Sequence, residues 1–363
     1  MNSPISWITG LLLILSAPMA VAKKADLLFR SDELMQITIN GPISRLVKDR
    51  DRGLEYEPAS LTYSDADGNL VSIDVRLRSR GIKRLSRRTC SFPPIRVLFD
   101  KKDTKDTTFA KQKKLKLVVQ CHPEVKKYEG YVITEYLAYK ILNLLTNNSF
   151  LVRLARITYV DSQTNKTLNT TYGFFLEPNK RLARRIEKER LKLNETSADQ
   201  LDSKHLNLVS LFQMMLGNTD WSATHVLGDD DCCHNGKLFG QDGATDNLYI
   251  PYDFDMTGLV NPEYAAVDKA LKLDNIRERR YRGYCRNEGM LADNIAMLNS
   301  KQSEILSLFE DTEYLRNDQK RRKIQYIEKF YRLINNPKRV KRKINGWCHK
   351  SFFVDKAEAG DNI

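Results

Sequence analysis

Apolar and polar residues alternate along the chain from about position 61 to position 99. In "LVSIDVRLRSRG" every second side chain is apolar, at Val71, Ile73, Val75 and Leu77, which is the period of a strand with one buried face. Two further strand-like segments follow, "FPPIRVLFD" and "KKLKLVVQC", and two more come after position 150, "VRLARITYVD" and "TYGFFLE". The pattern predicts a β-rich region in the first half of the chain.

A helical period interrupts these strands and later replaces them. The segment "EGYVITEYLAYKILNLLT" has apolar residues three and four positions apart, which predicts one helix among the strands. The segment "LNLVSLFQMMLGN" is amphipathic and stops at Gly217, and the chain from about Met290 onward is helical in pattern. We therefore predict a two-lobed α+β fold: a β-rich lobe at 23–178 with one central helix, and a mainly helical lobe at 179–363 with loops of catalytic type. A ligand cleft is expected between the lobes.

The first 22 residues have the pattern of a secretory signal. An apolar run from about Trp7 to Leu15 is followed by Pro18 and by the small residues "AVA" at 20–22, which form a typical cleavage site. A transmembrane anchor is the alternative, but the run is shorter than the roughly 20 residues that a spanning helix needs. We predict an exported protein, periplasmic or secreted, with no transmembrane anchor after cleavage.

The formal net charge of +13 favours anionic partners. Basic residues cluster at 76–88, 180–192, 277–286 and 338–343, and such clusters usually form solvated faces. No zinc-finger or RNA-binding motif accompanies them, so nucleic acid is not expected to be the primary ligand.

Export makes the six cysteines informative, because an oxidising compartment allows three disulfides with fifteen possible pairings. Cys90 and Cys121 flank neighbouring strand-like segments, so this pair is the first expectation, with buried free thiols as the alternative. Zinc binding by Cys232, Cys233 and nearby histidines is less favoured, because adjacent cysteines chelate one ion poorly and no C-x-x-C spacing is present.

Two charged residues near the predicted central helix are candidates for phosphate chemistry. Lys116 interrupts the apolar strand "LKLVV", which fits either an edge lysine reaching water or a buried cation with an anionic partner. Glu135 alone fits a solvent-facing helical residue. Together, a strand lysine and a helix glutamate match the ion pair with which phosphotransferases fix a phosphate-binding lysine.

Later in the chain, carboxylates follow two predicted elements. Asp220 comes after a helix end in "LGNTDWSATH", where Trp221 gives it the apolar neighbour that suits a catalytic acid or base. Asn235 precedes another strand-like run, and the apolar strand in "NLYIPYDFDMTG" ends in Asp253 and Asp255. Because Mg²⁺ binds through one or two carboxylates plus phosphate oxygens, these residues predict a divalent-ion site.

The order Lys, Glu, Asp, Asn, Asp along the chain is the order used in metal-assisted phosphoryl transfer. The strings that carry this order are "LRSRG", "FPPIRVLF", "KLKLVV", "EYLAYKIL", "YGFFLE", "GNTDW", "HNGKLF" and "IPYDFDMTGLV". With these strings the chain resembles the CotH-type spore-coat kinase family, an atypical branch of the protein-kinase-like fold, and a group of exported bacterial proteins with similar strings. The resemblance covers about residues 75 to 260, roughly half of the chain.

The resemblance implies a protein-kinase-like fold and an ATP-dependent phosphotransferase that uses Mg²⁺ or Mn²⁺ with ATP. On its nucleotide side, Lys116 would contact the α- and β-phosphates, with Glu135 as its helix partner. Arg80, at the start of the "RG" motif, would reach phosphate, and Glu177 would border the adenine pocket.

On the metal side of the same resemblance, Asp220 would be the catalytic base. Asn235 and Asp253 would be metal ligands, with Asp255 behind them. His225 stands at the offset where ordinary kinases place their asparagine, so it competes with Asn235 for that role.

The chain departs from ordinary kinases in two further respects: it has no glycine-rich loop, and Asp220 is separated from Asn235 by the insert "GDDDCCHN". The function predicted is binding of a metal-nucleotide, and γ-phosphoryl transfer to a protein or other envelope acceptor. The alternative is an inactive kinase-like scaffold whose basic face holds an acidic protein or other acidic envelope partner.

Overall fold

Seven strands between residues 35 and 176 close into a mixed β-barrel in the computed structural model of the chain. The structure describes residues 25–50, 55–226, 231–267 and 269–351. The barrel order is β1-β2-β3-β4-β5-β7-β6, with β6 returning to β1. The strands are β1 (Met35–Gly41), β2 (Glu57–Ser64), β3 (Leu70–Ser79), β4 (Ile95–Phe99), β5 (Lys114–Val119), β6 (Val152–Asp161) and β7 (Lys166–Leu176).

This barrel contradicts the predicted fold, because the described residues form a closed seven-stranded barrel plus helices instead of a clear two-lobed kinase-like arrangement. The prediction was wrong at β1, which the strand pattern from position 61 onward did not include. β1 pairs antiparallel with β2 and parallel with β6, from Met35 opposite Ala155 to Gly41 opposite Asp161. Closure thus depends on a pairing across about 120 residues, and local periodicity carries no signal for such a contact.

The strands that were predicted occur where the alternation placed them. In β3, Ile73, Val75 and Leu77 are buried while the polar residues between them face outward. They join an apolar core cluster inside the barrel that also contains Ile37 and Ile39 of β1. Burial of one face of every strand therefore fixes the register and holds the barrel closed.

Eight α-helices lie in the described residues, and the two that bear on the site were predicted. α2 is almost entirely apolar on its buried surface, and α4 ends at Gly217, whose φ of 64° is the left-handed conformation of a helix C-cap. The helices are α1 (Ile43–Lys48), α2 (Lys127–Leu145), α3 (Asn179–Ile186), α4 (Ser203–Leu216), α5 (Leu291–Ser300), α6 (Gln302–Glu310), α7 (Asn317–Ile334) and α8 (Pro337–Val340).

A second, three-stranded antiparallel sheet follows the barrel in sequence, in the order β10-β9-β8. Its strands are β8 (Glu189–Leu191), β9 (Gly236–Gly240) and β10 (Leu248–Pro251). All four residues of β10 are buried, and Leu248 and Ile250 pack in one apolar cluster with residues of α2 and α4. The carboxylates after β10 are therefore attached to a strand that is buried in the same apolar cluster as both helices.

Three disulfides are present, Cys90–Cys121, Cys232–Cys233 and Cys285–Cys348. The first is the predicted pair, and the second excludes zinc binding by these thiolates in the oxidised protein. In the part of the chain that the structure describes, no helix is both long and apolar enough to cross a bilayer. The predicted signal at 1–22 lies outside the described residues.

Candidate functional site

The two acids after β10 differ in exposure. Asp253 is exposed and has a φ of 67°, a backbone conformation that is costly for a residue with a side chain and that clusters at functional sites. Its N–H donates to Tyr139 Oη at 2.8 Å. Because Tyr139 lies on α2, the hydrogen bond ties this turn to the helix that carries Glu135.

Asp255 is buried beside the exposed acid. Its Oδ2 accepts a hydrogen bond from Tyr264 Oη at 2.9 Å and lies 3.9 Å from Arg84 Nη1. Burial, and next the nearby charge of Asp253, raise the pKa of Asp255 to about 6. The carboxyl group is therefore in an environment that disfavours its negative charge unless a cation is added.

A third carboxylate comes from α2. Glu135 is buried, and its Oε1 makes no hydrogen bond with the described residues. Burial, followed by the charges of Asp255 and Asp253, raises the pKa of Glu135 well above its ordinary value, against the opposing effect of Arg84 and Arg80. Three acids from two segments more than 110 residues apart thus share one electrostatic environment, and one of their oxygens is left without a donor.

Two cations reach the same environment from the barrel. Lys116 of β5 is half-buried, with its Nζ 4.4 Å from the ring centroid of Tyr252. Burial, and then the neighbouring Arg80, lower the pKa of Lys116 to about 7, while Asp253 opposes this effect. The pKa of Arg80 is lowered by burial and raised by Asp253, so both cations lie within electrostatic reach of the exposed acid.

Arg80 owes its place to the turn after β3. Its N–H donates to Pro94 O at 2.8 Å, and the following Gly81 has a φ of 105°, which only glycine adopts readily. The guanidinium Nε of Arg80 is buried and has no hydrogen-bond partner among the described residues. A buried cation with an unused donor is therefore within electrostatic reach of acids, of which Glu135 has an unused acceptor.

Asp220 forms a second cluster directly after α4. Its Oδ1 lies 2.7 Å from His234 Nε2, and its Oδ2 accepts from Asn235 Nδ2 at 3.0 Å. Burial opposes ionisation of Asp220, but the hydrogen bonds of His234 and Asn235, with the charge of Lys83, lower its pKa below the ordinary value. Asp220 also contributes to the raised pKa of Asp255, which links the two clusters.

The side chains of two candidates, Glu177 and His225, have hydrogen-bond partners outside these clusters. Both oxygens of buried Glu177 are bonded to Arg185, at 3.0 and 2.8 Å, and the Leu151 N–H donates to the same carboxylate at 3.1 Å. His225 Nδ1 lies 3.0 Å from Ser222 Oγ. Of the two residues that competed for one role, Asn235 is therefore the one in contact with Asp220.

Four site residues were missed by sequence reasoning: Tyr139, Arg84, His234 and Tyr264. Arg84 belongs to the basic cluster at 76–88, and His234 stands next to Asn235, so a partial signal existed for both. No sequence signal pointed to the two tyrosines, because the contact of a hydroxyl with a residue far away in the chain does not affect the local spacing of apolar residues.

The described residues contain no group of three or more histidine, cysteine, aspartate or glutamate side chains arranged to hold a metal ion by themselves. Asp253 and Asp255 nevertheless suit a hard divalent cation, because Mg²⁺ is usually held by one or two carboxylates and completes its shell with water and phosphate oxygens. Arg80 and Lys116 supply the positive charge that phosphate oxygens require. The donor set fits a cation and an anion bound together.

No protein-family model matches the chain, and no curated protein sequence is significantly similar to it.

Proposed function

We propose that the protein binds a metal-nucleotide, Mg²⁺ or Mn²⁺ with ATP, and transfers the γ-phosphoryl group to an acceptor hydroxyl. One observation carries the proposal: the charge of Asp253 acts on the pKa values of Arg80, Lys116, Glu135 and Asp255, all four of which are shifted, although the five residues span more than 170 positions of the sequence. Strongly perturbed charges that converge in this way are typical of functional sites.

The phosphates would be bound by Arg80 and Lys116, which carry positive charge toward the exposed carboxylate of Asp253. Asp253 and Asp255 would hold the divalent cation, which when bound neutralises charge on the phosphate oxygens. Glu135, whose Oε1 has no donor among the described residues, would orient either Lys116 or water of the cation shell.

Asp220 would accept the proton of the acceptor hydroxyl. As the hydroxyl oxygen bonds to the γ-phosphorus, the bond to the ADP oxygen breaks and the proton passes to a carboxylate oxygen of Asp220. The lowered pKa of Asp220 keeps it ionised and available at neutral pH, and His234 and Asn235 hold its orientation. We also propose that the protein is exported, since its three disulfides favour an oxidising compartment.

The test is a thermal-unfolding titration with Mg²⁺ or Mn²⁺ and ATP. A ligand at one hundred times its dissociation constant adds about 2.7 kcal/mol to stability, so wild type should melt higher and Asp253→Ala should not. Asp274→Ala, which removes an exposed carboxylate elsewhere, is the matched control and should respond like wild type. An equal response of wild type and Asp253→Ala, or none in wild type, would contradict the proposal. Transfer from γ-labelled ATP that is lost in Asp220→Ala then separates catalysis from binding.

A further inference from the structure

Between residues 337 and 350 the chain carries six cations and no acid: Lys338, Arg339, Lys341, Arg342, Lys343 and Lys350. Helix α8 ends at Val340 and continues directly into a π-helical turn, Lys341–Asn345. The helical path therefore decides which of these charges face the solvent.

Three apolar residues turn one side of this segment inward. Val340, Ile344 and Trp347 follow the i, i+4, i+7 spacing of one helical face, and all three pack against the large apolar cluster of the helices. The opposite side carries the exposed cations Lys338, Arg339, Lys341 and Arg342.

These four exposed cations make no side-chain ion pair within the described residues, whereas on the neighbouring helix Arg322 pairs with Asp318 at 2.6 Å and Arg332 with Glu328 at 3.7 Å.

Two further cations are gathered at Trp347. Lys343 Nζ lies 4.0 Å and the Arg280 guanidinium 4.6 Å from centroids of the indole. Burial, then Arg342 and Arg280, lower the pKa of Lys343, so these charges act on one another. The half-buried Trp347 thus stands among cations that repel each other and would be stabilised by added negative charge.

The segment is fixed to the protein at its end. The Cys285–Cys348 disulfide joins it to the loop after Arg280, the Cys285 N–H donates to His349 O at 2.9 Å, and the His349 N–H donates to Gly283 O at 2.8 Å. A rigid array of charges loses little conformational entropy on binding.

We propose that this basic C-terminal surface (Arg280, Lys338, Arg339, Lys341, Arg342, Lys343 and Trp347) docks on an anionic phospholipid bilayer. Clustered cations gain about fivefold in affinity per residue near such a surface, and tryptophan is the side chain that favours the headgroup level. The single aromatic residue at the centre of the array favours a lipid surface over nucleic acid, whose single strands bind rows of stacked aromatic rings. The inference does not depend on the nucleotide site.

The experiment is vesicle sedimentation of the mature chain, from residue 23 onward after removal of the predicted signal, with phosphatidylglycerol–phosphatidylcholine vesicles and with pure phosphatidylcholine vesicles. Wild type should bind only the anionic vesicles and should be released as salt rises from about 0.1 to 0.5 M. The variant K338Q/R339Q/K341Q/R342Q should bind roughly several hundredfold more weakly.

The control variant K101Q/K102Q/K105Q/K113Q removes the same charge from exposed lysines of the barrel. Asp100, Asp103 and Asp106 lie among those lysines in the sequence, so the affinity of this control variant for anionic vesicles should stay within about fivefold of wild type. Quenching of tryptophan fluorescence by brominated phosphatidylglycerol should be stronger in wild type than in Trp347→Phe, in which buried Trp221 remains, and this difference reports the Trp347 indole at the bilayer.

Three results would overturn the proposal. They are equal loss of binding in the two quadruple variants, equal binding of wild type to both vesicle types, and binding to duplex DNA at a salt concentration at which anionic vesicles stay unbound. Melting temperatures verify that the variants are folded. If K338Q/R339Q/K341Q/R342Q is unfolded, the release of wild type from anionic vesicles by salt tests the proposal instead.

Discussion

Buried charge occurs in two forms in this protein, as a closed ion pair and as an open cluster. Glu177 and Arg185 are both buried, and the pair is completed by the Leu151 N–H and by Asn147 O, which accepts from Arg185 at 2.7 Å. In the cluster around Glu135, the neighbouring acids raise its pKa and Arg80 lowers the pKa of Lys116, Arg84 approaches Asp255 only to 3.9 Å, and buried polar atoms stay without partners in the described residues. A satisfied pair holds the fold, whereas an unsatisfied cluster is arranged for a ligand.

The largest difference in the free energy of unfolding is expected between two variants, one that neutralises Glu177 of the closed ion pair and one that neutralises Glu135 of the open cluster. Glu177→Gln leaves the Arg185 guanidinium buried beside a neutral amide and should lower the free energy of unfolding by about 3–5 kcal/mol. Glu135→Gln removes a carboxylate that two other acids already disfavour, so stability at pH 8 should be unchanged or higher. Urea unfolding in the presence of EDTA measures both. Similar losses of stability in the two variants would show that the closed ion pair and the open cluster do not differ in this respect.

The pH dependence of stability should sharpen the same contrast. The pKa of Asp255 is raised from an ordinary value near 3.8 to about 6, so the folded state binds more protons than the unfolded state in this window. Stability is therefore greatest below pH 4 for this group, and about 3 kcal/mol of it is lost as the pH rises through 6. Unfolding curves from pH 4 to 7 without divalent ions should show this decline, and Asp255→Asn should flatten it.

Lys116→Met is expected to stabilise the protein modestly. Burial and Arg80 lower the pKa of Lys116 to about 7, so the folded protein bears an unfavourable charge below that pH. The gain should be about 1 kcal/mol at pH 6, because solvent contact reduces the full linkage value, and it should be smaller at pH 10, because the unfolded lysine keeps its proton up to its ordinary pKa of 10.5. Arg185→Met should instead destabilise at both pH values. A destabilising Lys116→Met at pH 6 would show that the lysine is paired.

The smallest effect is expected from Tyr264→Phe, which removes one hydrogen bond to Asp255 and should cost about 1 kcal/mol. The Tyr264 hydroxyl lowers the pKa of Asp255 against burial, so its loss should move the decline of stability to higher pH. Tyr314→Phe, on a half-buried tyrosine outside the site, is the control and should leave the pH profile in place. A profile that does not move would mean that the hydroxyl does not act on the carboxylate.

Local pattern sufficed for individual elements and for most of the candidate residues. Two-residue alternation located β3, β4 and β5, and the helical period located α2 and α4 with its end at Gly217. Carboxylates that follow apolar strands identified Asp253 and Asp255 as a pair. The buried face of each element is the face that carries its apolar residues, and the spacing of those residues can be read directly from the sequence.

The three-dimensional arrangement decided the rest. Closure of the barrel through β1 and β6, the pairing of Glu177 with Arg185, and the contact of Asp220 with His234 all join residues without a shared local pattern. The interaction energy of two charges depends on the distance between them and on their exposure to solvent, and both are set by the packing of the folded chain. The sequence by itself determined which charges the protein carries beside its apolar segments. Only the tertiary structure decided which of them neutralise one another and which remain open to a ligand.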